Sequence, residues 1–572
     1  MIKTLLPFLS KYKKYAILTP LMVVGEVLME IAIPVLMAAI VDTGITNRDI
    51  RYVLTIGGLM IVMALISLLF GALAARFGSK AGMGFGCELR RGLFDKISGF
   101  SFSNIDKFSS ASLVTRLTTD VNTTQMAVMM ALRVAVRAPF MLISATFMAF
   151  AINPSLVTVF LVAIPVLAVA LAIIATMTYP RFLTMLRKYD ALNASVQENL
   201  RSVRVVKSFV RAAYEKKKFG EANDNLMNSS IRAEKILNFN MPIMQLTMYG
   251  CIIAILWFGG GQIIAGTMMT GELISFISYV MQILMSLMMI AMIFIQLVMM
   301  RSSLTRIVEV LSETPDIKDP ETEGAVEQDA SIVFDNVSFC YGDGGDVLKH
   351  INLRIEPGET VGIIGGTGSS KSTLVQLIPR LYDVTGGRVL VGGRDVRDYK
   401  LEDLRKTVGM VLQKNVLFSG TIRDNLRWGN ENATDEEIIA ACKAAQAHDF
   451  ITSFPYGYDT ELGQGGVNVS GGQKQRLCIA RALLKKPQII ILDDSTSAVD
   501  TATDALIRKA LAEDLKGTTT IIIAQRVTSV CDADKIVVMD DGRIDAVGTH
   551  EELLKTNEIY RDVYESQQKG VA

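Results

Sequence analysis

Six apolar stretches of about 20 residues fill the first 300 positions, at approximately 16–41, 52–75, 129–152, 156–178, 241–264 and 274–299. A helix of that length crosses the ~30 Å of hydrocarbon in a bilayer. In lipid the backbone must satisfy its own hydrogen bonds, so these stretches predict membrane helices. Half of the 572 residues are hydrophobic and the mean hydropathy is +0.35, too apolar for an ordinary soluble chain. The 58 Lys+Arg nearly cancel the 57 Asp+Glu, so no nucleic-acid-binding field is expected. Cys87, Cys251, Cys340, Cys442, Cys478 and Cys531 are scattered without a CxxC pair, which suits a reducing cytosol and predicts no disulfide framework or zinc site. The first residues, MIKTLLPFLSKYKKY, read as a retained interfacial helix and not as a cleaved signal.

Short loops join spans one to two, three to four and five to six, whereas the breaks after spans two and four are long and rich in Lys and Arg. The positive-inside rule places those long segments and both termini in the cytoplasm of a multi-pass protein of the inner (plasma) membrane. Both breaks keep helical apolar spacing, so the helices are expected to continue beyond the membrane. Charge inside a span is costly and calls for a reason. Glu26 and Glu30 lie one turn apart in span one, either lining a cavity or pairing with a neighbouring helix. Arg133 and Arg137 repeat that spacing in span three and are expected near the cytoplasmic interface. Pro20 and Pro34 are expected to bend span one. In span six, Met281, Met285, Met288 and Met292 share a helical face that packs, meets lipid or offers an adaptable surface to amphipathic molecules.

Residues 1–315 therefore form a membrane α-helical domain, and the acidic stretch 316–330 reads as a linker. Over 331–572, short β-branched runs alternate with helical segments, the pattern of an α/β domain. Within it the strand ETVGIIG runs into Gly365-Gly366-Thr367-Gly368-Ser369-Ser370-Lys371-Ser372-Thr373 and then a helical stretch, the context of a phosphate-binding P-loop. Loop amides would surround the phosphates, Lys371 would neutralise them and the Ser372 hydroxyl would ligate Mg²⁺. Ser370 stands where the pattern has glycine, which is expected to alter nucleotide geometry without abolishing binding. Residues 488–493, QIIILD, form an apolar strand ending in Asp493, fit to hold Mg²⁺ through water.

The stretch Val469-Ser470-Gly471-Gly472-Gln473-Lys474-Gln475-Arg476 is far more specific. With the P-loop and Asp493 it resembles the ATP-binding cassette family over the whole chain, in the exporter-type half-transporter layout of six membrane helices and one P-loop NTPase domain. The resemblance implies that Tyr341 stacks on adenine and that Gln413 senses Mg²⁺. It implies a D-loop at Ser497-Ala498-Val499-Asp500, an X-loop over 460–466 and coupling tips near 105–110 and 210–217. It also implies that two cassettes sandwich two ATPs, each between one Walker A loop and the other subunit's signature, here Ser470, Gly471, Gly472 and Gln473.

Two further positions, with Ser370, depart from the family pattern at the same phosphate end. Asp494 replaces the glutamate that handles the attacking water, and a displacement of about 1 Å costs on the order of 100-fold where catalysis depends on positioning. Gln525 replaces the switch histidine and cannot carry a proton's charge. The resemblance thus implies a degenerate site beside an intact signature: one subunit of a heterodimer whose partner keeps the glutamate and the histidine. The expected activity is ATP-driven export of hydrophobic or amphipathic small molecules. Lipid flipping, peptide export and an ATP-gated or regulatory role are the alternatives, although no leader-processing protease domain is recognisable.

Overall fold

The computed structural model describes residues 2–320, 329–342, 344–495 and 499–569, so Ser497 and Ala498 of the expected D-loop and residues 321–328 of the expected linker lie outside the described residues. Contacts divide the chain into two units, Met1–Ser98 with Ser110–Glu313, and Gly99–Ser109 with Thr314–Ala572.

Six helices of the first unit are long and apolar enough to cross a membrane: Thr4–Ile45, Ile50–Ser98, Ser110–Ile152, Thr158–Arg201, Ala212–Ile264 and Thr270–Ile293. At 1.5 Å per residue the second is about 70 Å long, more than twice the hydrocarbon thickness, which is why its sequence turns from apolar to charged part-way. Pro20 and Pro34 both lie inside the helix Lys13–Ala39. Proline removes a ladder donor, and near Pro34 span six supplies hydroxyls to the backbone. Tyr279 donates to the Ile31 carbonyl at 2.7 Å, and Ser275 donates to that of Pro34. Around these bonds Phe160 stacks on Phe276 at 5.1 Å, both fully buried with Tyr279.

The charges of span one are paired. Arg137 reaches across to span one: its Nη1 donates to Glu26, and its Nη2 donates to both oxygens of Glu30 at 2.8 and 2.9 Å. Two carboxylates one helical turn apart share one guanidinium, and the pairing lowers the cost of all three charges. Gly71 of span two makes the room, because a Cβ there would lie 3.1 Å from Glu26 Oε1. Further along spans three and six, Arg306 clasps Asp120 with a 2.7 Å bond from Nε, and Arg116 binds Glu309 at 2.8 Å. The second tip departs from its expected place at 210–217. The turn is made by the short helix Val203–Ser208 and by Phe209, Val210 and Arg211, with Val210 at φ +54°, and a continuous helix resumes at Ala212.

In the second unit the strands are β1 (Ile332–Phe339), β2 (Leu348–Ile355), β3 (Thr360–Gly365), β4 (Gly386–Val391), β5 (Arg394–Asp395), β6 (Val408–Val411), β7 (Gly420–Thr421), β8 (Glu461–Leu462), β9 (Ile489–Asp493), β10 (Thr519–Ile523), β11 (Lys535–Asp540) and β12 (Arg543–Gly548). The main sheet runs β12-β11-β3-β10-β9-β6, parallel except for β12. Its central strands read as unbroken β-branched runs because both faces are covered, and β9 is buried at every residue. A sheet in the order β2-β1-β4-β5 packs beside it. The carboxyl ends of β3, β9 and β10, where α/β proteins place their ligands, carry Gly365, Asp493 and the approach to Gln525.

The unit also takes in Gly99–Ser109. There the helix Phe102–Phe108, capped by Ser101, overlaps the expected first tip at 105–110 and ends before Ser109. Tyr382 donates to Asp106 at 2.8 Å, and its ring lies 6.1 Å from that of Phe102.

Arg137→Met should leave two carboxylates in the bundle without a counter-charge and destabilise the membrane unit by about 3–5 kcal/mol. Thermal melting in detergent reads the loss, and a melting temperature equal to the unaltered protein's would refute the pairing.

Candidate nucleotide site

Strand β3 delivers the chain to the P-loop at Gly365, where a Cβ would strike the Met539 carbonyl at 2.2 Å. Gly368 has φ +89° and Ser370 has φ +70°, ψ 22°, so the position where the pattern has glycine is a left-handed one. A non-glycine residue there costs roughly 1–2 kcal/mol, and serine bears that cost without a capping bond in return. The helix Lys371–Gln376 starts directly after it. Lys371 is drawn into the loop, its Nζ donating to the carbonyls of Gly365 (2.9 Å) and Gly366 (2.7 Å) and to Ser369 Oγ (3.0 Å). Burial pushes its ammonium below the usual lysine range, while the charges of Asp493 and Asp494 oppose that shift.

Ser372 Oγ donates to Asp493 Oδ1 at 2.9 Å, which brings together the two groups expected to hold Mg²⁺. Burial raises the Asp493 carboxyl above the usual aspartate range; the Ser372 bond opposes this, Asp494 adds to it and Lys371 again opposes it. A buried carboxylate beside a hydroxyl is a hard oxygen set short of positive charge, and it fits a magnesium ion. Gln413, the third expected ligand, is exposed, with its carbonyl accepting from the Asn415 amide at 3.4 Å. Tyr341 sets its ring edge-on against Phe339 (4.8 Å) and Tyr382 (5.2 Å), and its hydroxyl shares a 3.1 Å hydrogen bond with Thr373. The residue remains 40% exposed, leaving room for a base against it. Thr367 continues the loop between Gly366 and Gly368.

Asp494 also adopts a left-handed conformation, φ +49°, and is buried. Its Oδ2 accepts from Gln525 Nε2 at 2.8 Å, so two of the three family departures touch each other. Two glutamines that sequence reasoning passed over hold this pair. Gln475, inside the signature helix, donates to the Asp494 carbonyl at 3.4 Å. Gln567, near the end of the helix Glu558–Lys569, donates to the Gln525 carbonyl at 2.8 Å and accepts from Val527 N at 2.9 Å. An amide that meets both backbone groups of a loop fixes its path.

The signature is a second cluster. Ser470 caps the helix Gly471–Leu484 through a reciprocal box with Gln473: Gln473 N donates to Ser470 Oγ at 3.3 Å, and Ser470 N donates to Gln473 Oε1 at 2.9 Å. A cavity of about 420 Å³ opens there, lined among the described residues by Ser470, Gly471, Gly472, Arg476, Val499 and Asp500 and by no residue of the P-loop. The capped amide end of a helix suits a phosphate.

The model of the ABC transporter transmembrane region matches residues 16–287, and that of the ABC transporter domain matches 348–497. The chain is 32% identical to a putative multidrug export ATP-binding/permease protein, YgaD, of Bacillus subtilis (strain 168), over 98% of both chains. It belongs to the ABC transporter family. Another member, an ATP-dependent lipid A-core flippase of Syntrophus aciditrophicus (strain SB), is 34% identical over 84% of this chain and 80% of its own. Among solved ABC transporters, a bacterial Atm1-family exporter with ATP bound superposes with a TM-score of 0.83 at 26% identity, covering 98% of each chain. The fold is thus that of an ABC exporter, with six membrane-capable helices fused to a nucleotide-binding domain.

Ser370→Gly should remove the left-handed strain, raising the cassette's stability by about 0.5–1 kcal/mol and tightening MgATP binding. Calorimetric titration checks this; unchanged affinity would acquit the serine side chain.

Proposed function

We propose that this chain is the degenerate-site subunit of a heterodimeric plasma-membrane exporter, which moves hydrophobic or amphipathic small molecules by alternating access with its cassette in the cytoplasm. The observation that carries the proposal is the 2.8 Å bond from the Gln525 amide to Asp494. That bond occupies Oδ2 of the carboxylate and points it at an amide, where a catalytic carboxylate would meet the attacking water. The aspartate is also one methylene shorter than the glutamate of the family pattern, and the amide cannot carry the charge of a histidinium beside a γ-phosphate.

ATP would lie along Gly365, Thr367, Gly368, Ser369, Ser370, Lys371, Ser372 and Thr373, with Tyr341 against the base. Ser372 and Asp493, with Gln413 brought in, would hold Mg²⁺, which screens the phosphate charge. The signature is intact and capped, so Ser470, Gly471, Gly472 and Gln473 are fit to complete the partner's site. ATP binding closes the cassettes, and hydrolysis at the partner's site resets them. Slow turnover at this chain's own site keeps ATP bound longer. Export of amphipaths accords with the methionine-rich surface of span six and with the names of the two relatives.

Variants placed in this subunit separate its two roles. Gly471→Asp should reduce the heterodimer's ATPase by about 100-fold, because it spoils the partner's site. Lys371→Ala should leave most of it. The double change Asp494→Glu with Gln525→His should add hydrolysis at this chain's site. Brisk ATPase from the lone unaltered chain, or equal losses from Gly471→Asp and Lys371→Ala, would sink the asymmetric reading.

A further inference from the structure

Within the membrane unit a cavity of about 470 Å³ lies among spans one, three and six. Among the described residues Glu30 and Arg137 are its only ionisable lining groups, and Met281, Met285 and Met289 give it an apolar wall. Met288 and Met292 of the expected methionine face do not line it, and Met289 takes their place.

The charge around the cavity does not balance. Arg137 is engaged by both Glu26 and Glu30, so two carboxylates share one guanidinium and one negative charge is in excess. Hydrogen-bonding capacity is lopsided in the same sense. Glu26 Oε2, on a residue only 7% exposed, is buried with no partner among the described residues, and so is Gln282 Oε1. The hydroxyls of Ser278 and Ser286 already spend their protons on the carbonyls of Ile274 (3.1 Å) and Ile283 (2.8 Å), leaving only lone pairs to offer. Unmatched acceptors and net negative charge, in surroundings of low dielectric, are costly until a cation or a donor arrives. The thioethers of Met281, Met285 and Met289 adapt to varied apolar shapes.

We propose that this cavity selects amphipathic organic cations, with the positive head beside Glu30 and Gln282 and the apolar body against the methionines. The inference rests on the export reading above and sharpens it to a charge class. Tetraphenylphosphonium and tetraphenylborate are nearly the same size and opposite in charge, so they isolate the electrostatic part of recognition. With the transporter assembled with its partner subunit in detergent, the phosphonium should bind at least ~10-fold more tightly than the borate. Glu30→Gln, which cancels the excess charge, should weaken phosphonium about tenfold without weakening borate. Met285→Ala should weaken both ions.

Equal or tighter binding of borate by the unaltered transporter would overturn the inference, whether or not the variants fold. ATP-driven uptake into inverted vesicles separates this failure from that of the export reading. Movement of lipids or neutral dyes with the phosphonium excluded defeats the charge selection alone. If no dye, lipid or ion moves, export itself is refuted.

Discussion

Hydrocarbon offers no hydrogen-bond partner to a peptide group, and the membrane half of this chain is organised by that fact. It sets the length of the spans and makes polar groups inside them costly unless they are paired. Beside Pro34 in span one, Tyr279 and Ser275 donate their hydroxyls to the backbone carbonyls of Ile31 and Pro34. Where Glu26 and Glu30 enter the same span, Arg137 crosses from span three to meet them, and Gly71 of span two leaves the space. These polar groups are stitched between helices, and the methionine-lined cavity lies beside the pairing of Arg137 with Glu30.

In the cassette the corresponding constraint is electrostatic. Ser372 and Asp493 gather oxygen and negative charge, and Lys371 folds back onto its own loop. Asp494 and Gln525 are bonded to each other, so two of the three departures from the family pattern form one local unit, and reverting either alone leaves the other mismatched.

Much of the architecture is legible in the residues alone, for reasons that differ by element. The spans are visible because an apolar run of about 20 residues matches the hydrocarbon thickness and is longer than a helix of a soluble core needs. The P-loop is visible because strand, glycine turn and helix occur in fixed order, and β3 with the helix after Ser370 follows that order. The left-handed backbone at Ser370 is implicit in the glycine expected there. Long-range pairing is not legible. Arg137 lies 111 residues from Glu26, and Gln567 lies 42 from Gln525; no local periodicity encodes such meetings. The second tip falls away from its expected place because its turn is made at Val210, a β-branched residue that gives no signal for a left-handed turn. Gln475 is visible only as a letter of the signature stretch, with nothing local to tie its buried amide to Asp494, and Gln567 looks like any solvated glutamine of a polar helix.

The short helix Phe102–Phe108 belongs by contacts to the cassette although some 200 residues of chain separate it from the rest of that unit. Its Asp106 accepts from Tyr382, whose ring meets that of Tyr341, which in turn touches Thr373 beside the P-loop. The boundary between the two units is therefore not one cut in the chain but three, and a cassette severed at the linker would lose a piece of its own surface. Such a fragment would strip Tyr382 of its Phe102 and Asp106 partners, and nucleotide binding measured on it would report on a Tyr341 whose neighbouring ring had lost its support.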